Sequence, residues 1–216
     1  MLDKSATLYN RSQAYSAGLN KEFVNAFEKL GGQVLTQVAY ADGDNDFSAQ
    51  LTYIRGTNPQ FIYIPGYYTE VVNIARQARK LGITCPLIGG DGWVSEELKN
   101  AGDALDGCYF SDHYSQEDKR PEVQDFLKKY KTEYGKTPDS MAALGYDAAN
   151  LLFDAMKRAK SLNGHDLADA IASTKDFKAV TGNITINDHR DATKLAVIQK
   201  IQGGQFSYFA TVEPPK

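Results

Sequence analysis

Two glycine-rich segments hold the residue types best suited to chemistry in this sequence. Residues 66–68 read Gly-Tyr-Tyr, and residues 89–93 read Gly-Gly-Asp-Gly-Trp. Glycine lets a ligand approach the backbone, aromatic rings provide flat apolar walls, and the carboxylate of Asp91 provides one fixed negative charge. This combination suits a small cation with an apolar body, such as an amino acid.

The elements predicted around these segments would bring them together. Phe61–Ile64 and residues 86–88 are short apolar runs typical of buried strands. A helix is predicted between them, with Thr69 as its N-cap and Gly82 as its C-cap. Two strands joined in this way pair in parallel, and ligands bind at the carboxyl ends of parallel strands. The alternative interpretation is that the aromatic rings only pack and the Gly-Asp-Gly sequence only turns the chain.

The chain up to residue 111 alternates between strand and helix patterns. The helix predicted at residues 16–30 has one apolar face, and a short helix is predicted near residues 95–101. Predicted strands are residues 6–9, 34–40, 61–64, 86–88 and 107–111. Residues predicted on the apolar face of the first helix are Leu19, Phe23, Phe27 and Leu30. The alternation predicts an α/β fold, a doubly wound parallel sheet with helices on both faces.

The pattern changes after residue 111. Helices are predicted at residues 121–134, 141–160 and 166–173, but 182–186 is the one strand predicted among them. The sequence Gln-Gly-Gly-Gln at 202–205, between apolar runs, indicates a final hairpin. The helices either form an appendage on the first domain or cover a sheet that this chain lacks.

Composition narrows the classes of function. With 42% hydrophobic residues, 24% charged residues and a net charge of −3, the chain is typical of a soluble globular protein without a basic patch for nucleic acid. The first ten residues do not form a signal peptide, and no apolar run approaches a membrane span. Cys85 and Cys108 could be free thiols or a disulfide.

Motifs for catalysis or metal binding are absent from the sequence. There is no P-loop, no Gly-x-Gly-x-x-Gly after the first strand and no Gly-x-Ser-x-Gly. The three histidines have no neighbours at metal-ligand spacing, and the acidic segment 42–46 lacks the glycine and glutamate of a calcium loop. The sequence therefore predicts no cofactor, no metal and no enzymatic activity.

Seven ordered segments carry a resemblance to a known family. They are residues 15–19, 23–32, 46–51, 66–68, 89–93, 134–138 and 145–149. As a set they resemble the periplasmic branched-chain amino-acid-binding proteins, the leucine/isoleucine/valine receptors of ABC importers. This resemblance implies a type I periplasmic binding protein fold, in which two Rossmann-like lobes joined by three crossovers close on a ligand.

The resemblance also implies roles for single residues. Tyr15 and Tyr67 would line the pocket, and Asp91 would pair with the α-ammonium group of the ligand. Met141 falls near the apolar wall that the other lobe contributes. Trp93 is added to these candidates because it lies close to Asp91 in the sequence.

One departure from the family concerns the amino-terminal lobe, whose sheet has no counterpart here. That lobe usually supplies the hydroxyl and N–H groups that hold the ligand's α-carboxylate. Residues 1–113 and 195–216 resemble the carboxy-terminal ligand-binding lobe, and residues 114–194 resemble a helical remnant of the amino-terminal lobe. The expectation is a truncated solute-binding protein whose full-length form is periplasmic, or lipid-anchored outside the cell.

The expected partners are a small amino acid and an ABC transporter permease. Because the helices after residue 120 would expose apolar faces, the truncated chain is also expected to self-associate, most simply as a two-fold dimer. Two alternatives stay open: an amino-acid or amide sensing receptor domain of the same fold, and an enzyme of flavodoxin-like architecture. A signalling segment in the full gene would favour the receptor, and turnover or a bound phosphate cofactor would favour the enzyme.

Overall fold

A computed structural model describes residues 2–214 of the chain. Its strands are β1 Lys4–Asn10, β2 Gln33–Tyr40, β3 Phe61–Ile64, β4 Leu87–Gly89, β5 Tyr109–Asp112, β6 Phe177–Ala179, β7 Gly182–Ile186, β8 Ala192–Thr193, β9 Ala196–Gln202 and β10 Gln205–Val212. Its α-helices are α1 Ala14–Lys29, α2 Ser48–Gly56, α3 Tyr68–Lys80, α4 Pro121–Tyr134, α5 Ser140–Arg158 and α6 Gly164–Ala172, and two 3-10 helices cover Asp91–Trp93 and Glu96–Leu105.

The larger sheet has seven strands in the order β10-β9-β5-β4-β3-β1-β2. Neighbours among the first five strands of the chain pair in parallel. Strands β9 and β10 are joined by two glycines, so they form the expected hairpin at one edge. The predicted α/β class and the five-stranded parallel sheet with an added hairpin are therefore confirmed.

The strand order places a switch point between β1 and β3. From β1 the chain passes to β2 on one side, whereas β3, β4 and β5 continue on the other side. In open parallel sheets, the connections leave such a point in opposite directions and open a crevice at the carboxyl ends of the strands. The segments that follow β1, β3 and β4 therefore lie at the edge where ligands bind in this class of fold.

The core of this sheet is apolar, but the contact of α1 with it is partly polar. The buried residues of α1 are Ser16 and Asn20, whose side chains bond to Asn10 and Gln37. The predicted apolar face is wrong in part, since the Leu30 side chain is 86% exposed. Leu30 follows the last residue of α1 and is its C-cap, so it lies beyond the helical face that packs on the sheet. Fully buried core residues include Leu8, Phe47, Leu51, Ile62, Ile64, Ile74, Leu87 and Phe110.

Two further local predictions are corrected by the structure. Helix α3 begins at Tyr68, so Tyr67 and not Thr69 is the N-cap, and the Thr69 hydroxyl donates to Glu70 instead. The helix expected near residues 95–101 is a 3-10 helix that runs to Leu105, and Gly102 interrupts it with a φ of 60°. A positive φ suits glycine because no Cβ atom crowds the backbone.

Arg79 fixes the chain that leads into β4. Its guanidinium donates to the carbonyl groups of Ile83, Cys85 and Ala104 at 2.7–2.9 Å, and to the Cys108 sulfur at 3.3 Å. Cys85 and Cys108 are both free thiols, and burial raises the pKa of each. The disulfide that the sequence left open is therefore not formed.

The described residues group into two compact units. The first comprises the residues up to Ser111 and Gln199–Ser207, and the second comprises Asp112–Ile198 and the residues from Tyr208 onward. The sequence predicts boundaries after residues 113 and 194, whereas the compact units divide after Ser111 and Ile198, with Tyr208 and the residues after it in the second unit. Residues 1, 215 and 216 of the predicted ranges lie outside the described residues. Which lobe of the family each range represents stays a prediction.

The second unit contains a small sheet that the sequence did not predict. Strands β6, β7 and β8 pair antiparallel in this order. Two of them have three residues or fewer, which is too short for a strand pattern to be recognised. The view that residues 121–194 hold one strand is therefore wrong, although the three helices expected there are confirmed. Between residues 2 and 214, no helix is both long and apolar enough to span a membrane.

One buried carboxylate joins α5 to the turn between β6 and β7. Asp147 is 3% exposed, and its two carboxylate oxygens accept hydrogen bonds of 2.8 Å from the backbone N–H groups of Val180 and Thr181. A buried N–H group without an acceptor is costly. Asp147 therefore ties the small sheet to the helical part of the second unit.

We expect Asp147→Ala to lower the free energy of unfolding by about 3 kcal/mol, because it leaves two buried N–H groups without acceptors. Urea denaturation followed by circular dichroism measures the change. Asp188→Ala is the matched control, since Asp188 lies on the surface of the same unit. Equal stabilities of the two variants would contradict this role for Asp147.

Candidate functional site

The loop after β1 sets the position of Tyr15. Asn10, the last residue of β1, donates its backbone N–H to the Ser16 hydroxyl at 2.9 Å and its side-chain amide to Asp42 at 2.6 Å. Its side-chain oxygen accepts from the Ser12 N–H group at 2.9 Å. These bonds hold the short loop before α1, so Tyr15, the second residue of α1, lies at the carboxyl edge of the sheet.

Tyr67 follows β3 and packs against Tyr15. The two rings stack with centroids 4.9 Å apart and an interplanar angle of 21°. Tyr67 is the N-cap of α3 and is 37% exposed, so one side of the stack is open to solvent. The pair forms a flat apolar surface at the end of β3, as stacked aromatic rings do.

Glycines permit the close packing around the loop that carries Asp91. A Cβ atom at Gly90 would lie 3.0 Å from the Tyr15 hydroxyl, and one at Gly92 would lie 2.9 Å from the carbonyl of Gly66. A Cβ atom at Gly89 would lie 2.0 Å from the Trp93 indole. The glycines thus allow Tyr15 to lie directly against the loop.

Trp93 lies beneath this loop and not on the ligand-accessible surface. Its side chain is fully buried, and its indole N–H donates to the Ile64 carbonyl at 3.0 Å. This bond ties the loop after β4 to the end of β3. Trp93 is predicted to bind the ligand because it lies near Asp91 in the sequence. In the structure it instead supports the loop from below.

Tyr15, Asp91 and Gly92 form one hydrogen-bonded group. The Tyr15 hydroxyl donates to Oδ1 of Asp91 at 2.6 Å and accepts from the Gly92 N–H at 2.9 Å. Burial, together with the hydrogen bond to Asp91 and its negative charge, raises the pKa of Tyr15 well above its ordinary value. Burial and the same charge raise the pKa of nearby Tyr63 to about 12. Both tyrosines therefore stay neutral at physiological pH, and Asp91 is the one acidic residue of this group.

Three of the five predicted residues thus come together in the first unit: Tyr15, Tyr67 and Asp91. Trp93 belongs to the same unit but to its core. Met141 belongs to the second unit, at the start of α5, where its side chain is 48% exposed. Among residues 2–214 there is no cluster of three or more acidic, histidine or cysteine side chains that could hold a metal ion.

Sequence reasoning missed two contributors to this site. The backbone N–H of Gly92 carries no signal in the sequence, since every residue except proline has one. Leu19 was assigned to the core face of α1, yet its Cδ1 atom would lie 3.3 Å from a Cβ atom at Gly90. Its spacing of four residues from Tyr15, on the same side of a helix, could have indicated that it borders the site.

Comparison with known proteins connects this geometry to a family. The model of a family described as periplasmic binding protein matches residues 3–205. A Leu/Ile/Val-binding protein homolog 1 from Brucella suis biovar 1 (strain 1330) is 27% identical over 189 residues, which are 87% of this chain and 50% of that protein. A leucine-, isoleucine-, valine-, threonine- and alanine-binding protein of Pseudomonas aeruginosa is 24% identical over 213 residues. The match covers 90% of this chain and 56% of that protein.

Solved structures share the fold. The leucine-binding protein LivK of Thermotoga maritima superposes with a TM-score of 0.92 at 39% identity, over 99% of this chain and 61% of that one. LivJ of Streptococcus pneumoniae, solved with isoleucine, superposes with a TM-score of 0.85 at 30% identity, again over 99% of this chain and 61% of that one. The chain thus spans about half to three fifths of the length of these relatives. All four are named as binding proteins, in agreement with the prediction that the chain is not an enzyme.

We expect Gly89→Ala to destabilise the first unit by roughly 1–3 kcal/mol, because the added Cβ atom collides with the buried Trp93 indole. Thermal unfolding monitored by Trp93 fluorescence tests this. The control is Gly18→Ala, in α1, where an added Cβ atom meets nothing within 4 Å and alanine favours the helix. The expectation fails if the Gly89 variant is as stable as the Gly18 variant.

Proposed function

We propose a function on one premise: this chain belongs to the periplasmic binding protein family, whose model matches residues 3–205. The proposed function is to bind a branched-chain or related amino acid as part of the solute-binding component of an ABC importer. The observation that carries the proposal is the convergence of Tyr15, Tyr67 and Asp91 at the carboxyl ends of β1, β3 and β4.

The chemistry of this group supports a zwitterionic ligand with an apolar side chain. Asp91 offers a carboxylate to an ammonium group, and a charge-assisted hydrogen bond of this kind is strong. The stacked rings of Tyr15 and Tyr67, with Leu19 beside them, offer apolar surface. The names of several relatives specify leucine, isoleucine and valine. Amino acids of this class have an ammonium group for the carboxylate and an apolar side chain for the apolar surface.

Because the chain covers only part of each relative, we propose that different parts of the full-length protein bind different groups of the ligand. The chain spans 61% of the Thermotoga LivK structure, and the resemblance implies that the other lobe holds the ligand's α-carboxylate. In our proposal the first unit therefore recognises the ammonium group and the side chain. For Met141, the resemblance implies an apolar contact with the ligand, and we keep this contact as part of the proposal.

The proposal extends to location and partners. A solute-binding component works outside the cytoplasmic membrane and delivers its ligand to a permease. We therefore propose a periplasmic or lipid-anchored location for the full-length form, and an ABC transporter permease as its protein partner. The family match supports both statements.

The proposal predicts that Asp91→Ala weakens leucine binding by roughly 2–5 kcal/mol in a two-lobed protein, because the substitution leaves the ligand's ammonium group buried without a counter-charge. Such a protein can be made by joining this chain to the part of Thermotoga LivK that it does not match. Calorimetry measures the affinity, and Asp103→Ala, at an exposed site, is the control.

An unchanged affinity in the Asp91 variant would rule out the proposed role of Asp91. The chain by itself should bind leucine in the millimolar range or more weakly, because one side of the ligand stays in water. A micromolar dissociation constant for the chain alone would show that the remaining length of the relatives is not needed for binding.

We also propose that the 216-residue chain self-associates through the second unit. Its large apolar side chains that are at least 40% exposed are Tyr134, Met141, Tyr146, Leu152, Phe153, Leu162, Tyr208, Phe209 and Val212. Exposed apolar surface of this kind favours association, and a second copy of the chain with two-fold symmetry is the simplest occupant.

We expect light scattering at micromolar concentration to give a mass above that of the 23.8 kDa monomer. Phe153→Ser should reduce the mass, because Phe153 is 57% exposed on α5. Leu30→Ser alters a residue that is 86% exposed in the other unit and should leave the mass unchanged. A wild-type chain that stays monomeric would remove the proposal of self-association.

A further inference from the structure

The hydrogen bonds of Tyr15 give it a second task besides lining a pocket. We propose that Tyr15 is a positioning residue that sets the orientation and the charge of Asp91 before any ligand arrives. This inference rests on the proposed function for the identity of the ligand, but not for the arrangement of Tyr15 and Asp91 itself.

The hydroxyl group of Tyr15 has a defined orientation. A tyrosine hydroxyl has one hydrogen to donate and lone pairs that accept. The Gly92 N–H donates to the Tyr15 oxygen at 2.9 Å, and this leaves the hydroxyl hydrogen for Asp91 Oδ1 at 2.6 Å. The direction of the donation is thus fixed by a backbone group of the same loop that carries Asp91.

The ring of Tyr15 is held in place on both sides. One face stacks on Tyr67. The ring edge and hydroxyl lie against the loop, since a Cβ atom at Gly92 would be 3.1 Å from both Cε1 and the hydroxyl oxygen of Tyr15. The loop in turn is tied to β3 by the Trp93 indole. The carboxylate is therefore oriented by closely packed neighbours, which lowers the ordering cost of binding.

The hydrogen bond also affects the charge of Asp91. A donor directed at a carboxylate stabilises its ionised form, whereas burial and negative neighbours disfavour it. The charge of Asp91 acts on Tyr15 and Tyr63, and both are neutral at physiological pH because their pKa values are raised. Tyr15 thus helps to keep Asp91 anionic, the state in which it attracts an ammonium group.

The test uses the full 216-residue chain and the isosteric variant Tyr15→Phe, which keeps the ring and removes the hydroxyl. Carbon-13 NMR of the Asp91 carboxyl group follows its titration without any ligand. We expect the acid dissociation constant of Asp91 to fall about tenfold in the variant, since a hydrogen bond to a charged group is lost. Tyr53→Phe is the control, because Tyr53 is 63% exposed on α2.

A change of less than about twofold in that constant, in a folded variant, overturns the proposal. The wild-type chain provides a second measurement, a slowly exchanging hydroxyl proton of Tyr15 that couples to the Asp91 carboxyl carbon. Its absence would also overturn the proposal, so the test does not depend on the folding of the variant.

Leucine titration of the same samples separates this inference from the proposed function. If the wild-type chain binds leucine at millimolar concentration, judged by the Gly92 amide resonance, Tyr15→Phe should weaken that binding several-fold. If the two-lobed protein does not bind leucine while the Asp91 titration changes as expected in the 216-residue chain, the positioning role stands and the proposed ligand is wrong.

Discussion

The hydrogen bond between Tyr15 and Asp91 depends on a constraint of the whole sheet. These residues are 76 positions apart, and they meet because β1, β3 and β4 run parallel and end at one edge. Each strand delivers one member of the group: Tyr15 after β1, Tyr67 after β3 and Asp91 after β4. If one of these strands ran antiparallel, its loop would lie at the opposite edge and the group would not form.

The elements and two of the site residues could be predicted from the sequence because their signals are local. Tyr67 and Asp91 come two or three residues after apolar strands, so the rule for strand ends predicts that they lie at the carboxyl edge of the sheet. The bond from Tyr15 to Asp91 could not be predicted, since it depends on side-chain orientation across a sheet. The same holds for Trp93, which is buried and whose indole N–H donates to the Ile64 carbonyl.

The errors in the fold have a common physical cause, which is tertiary context. The apolar spacing of α1 suggested that Leu30 is buried, but the helix ends before it, and Ser16 and Asn20 occupy the contact with the sheet. In the second unit, β6 and β8 are strands because they pair with β7, not because of their own pattern. Asp147 accepts the N–H groups that lead into β7, and a carboxylate within a helix gives no sign of that role.

The central claim is that the first unit recognises the ammonium group of an amino acid through Asp91. The most direct measurement compares leucine with 4-methylpentanoate, which has the same side chain and carboxylate but no ammonium group, by NMR titration of the wild-type chain at millimolar concentration. The account predicts that leucine shifts the backbone resonances of Asp91 and Gly92, whereas 4-methylpentanoate does not. Equal shifts with both compounds would contradict it.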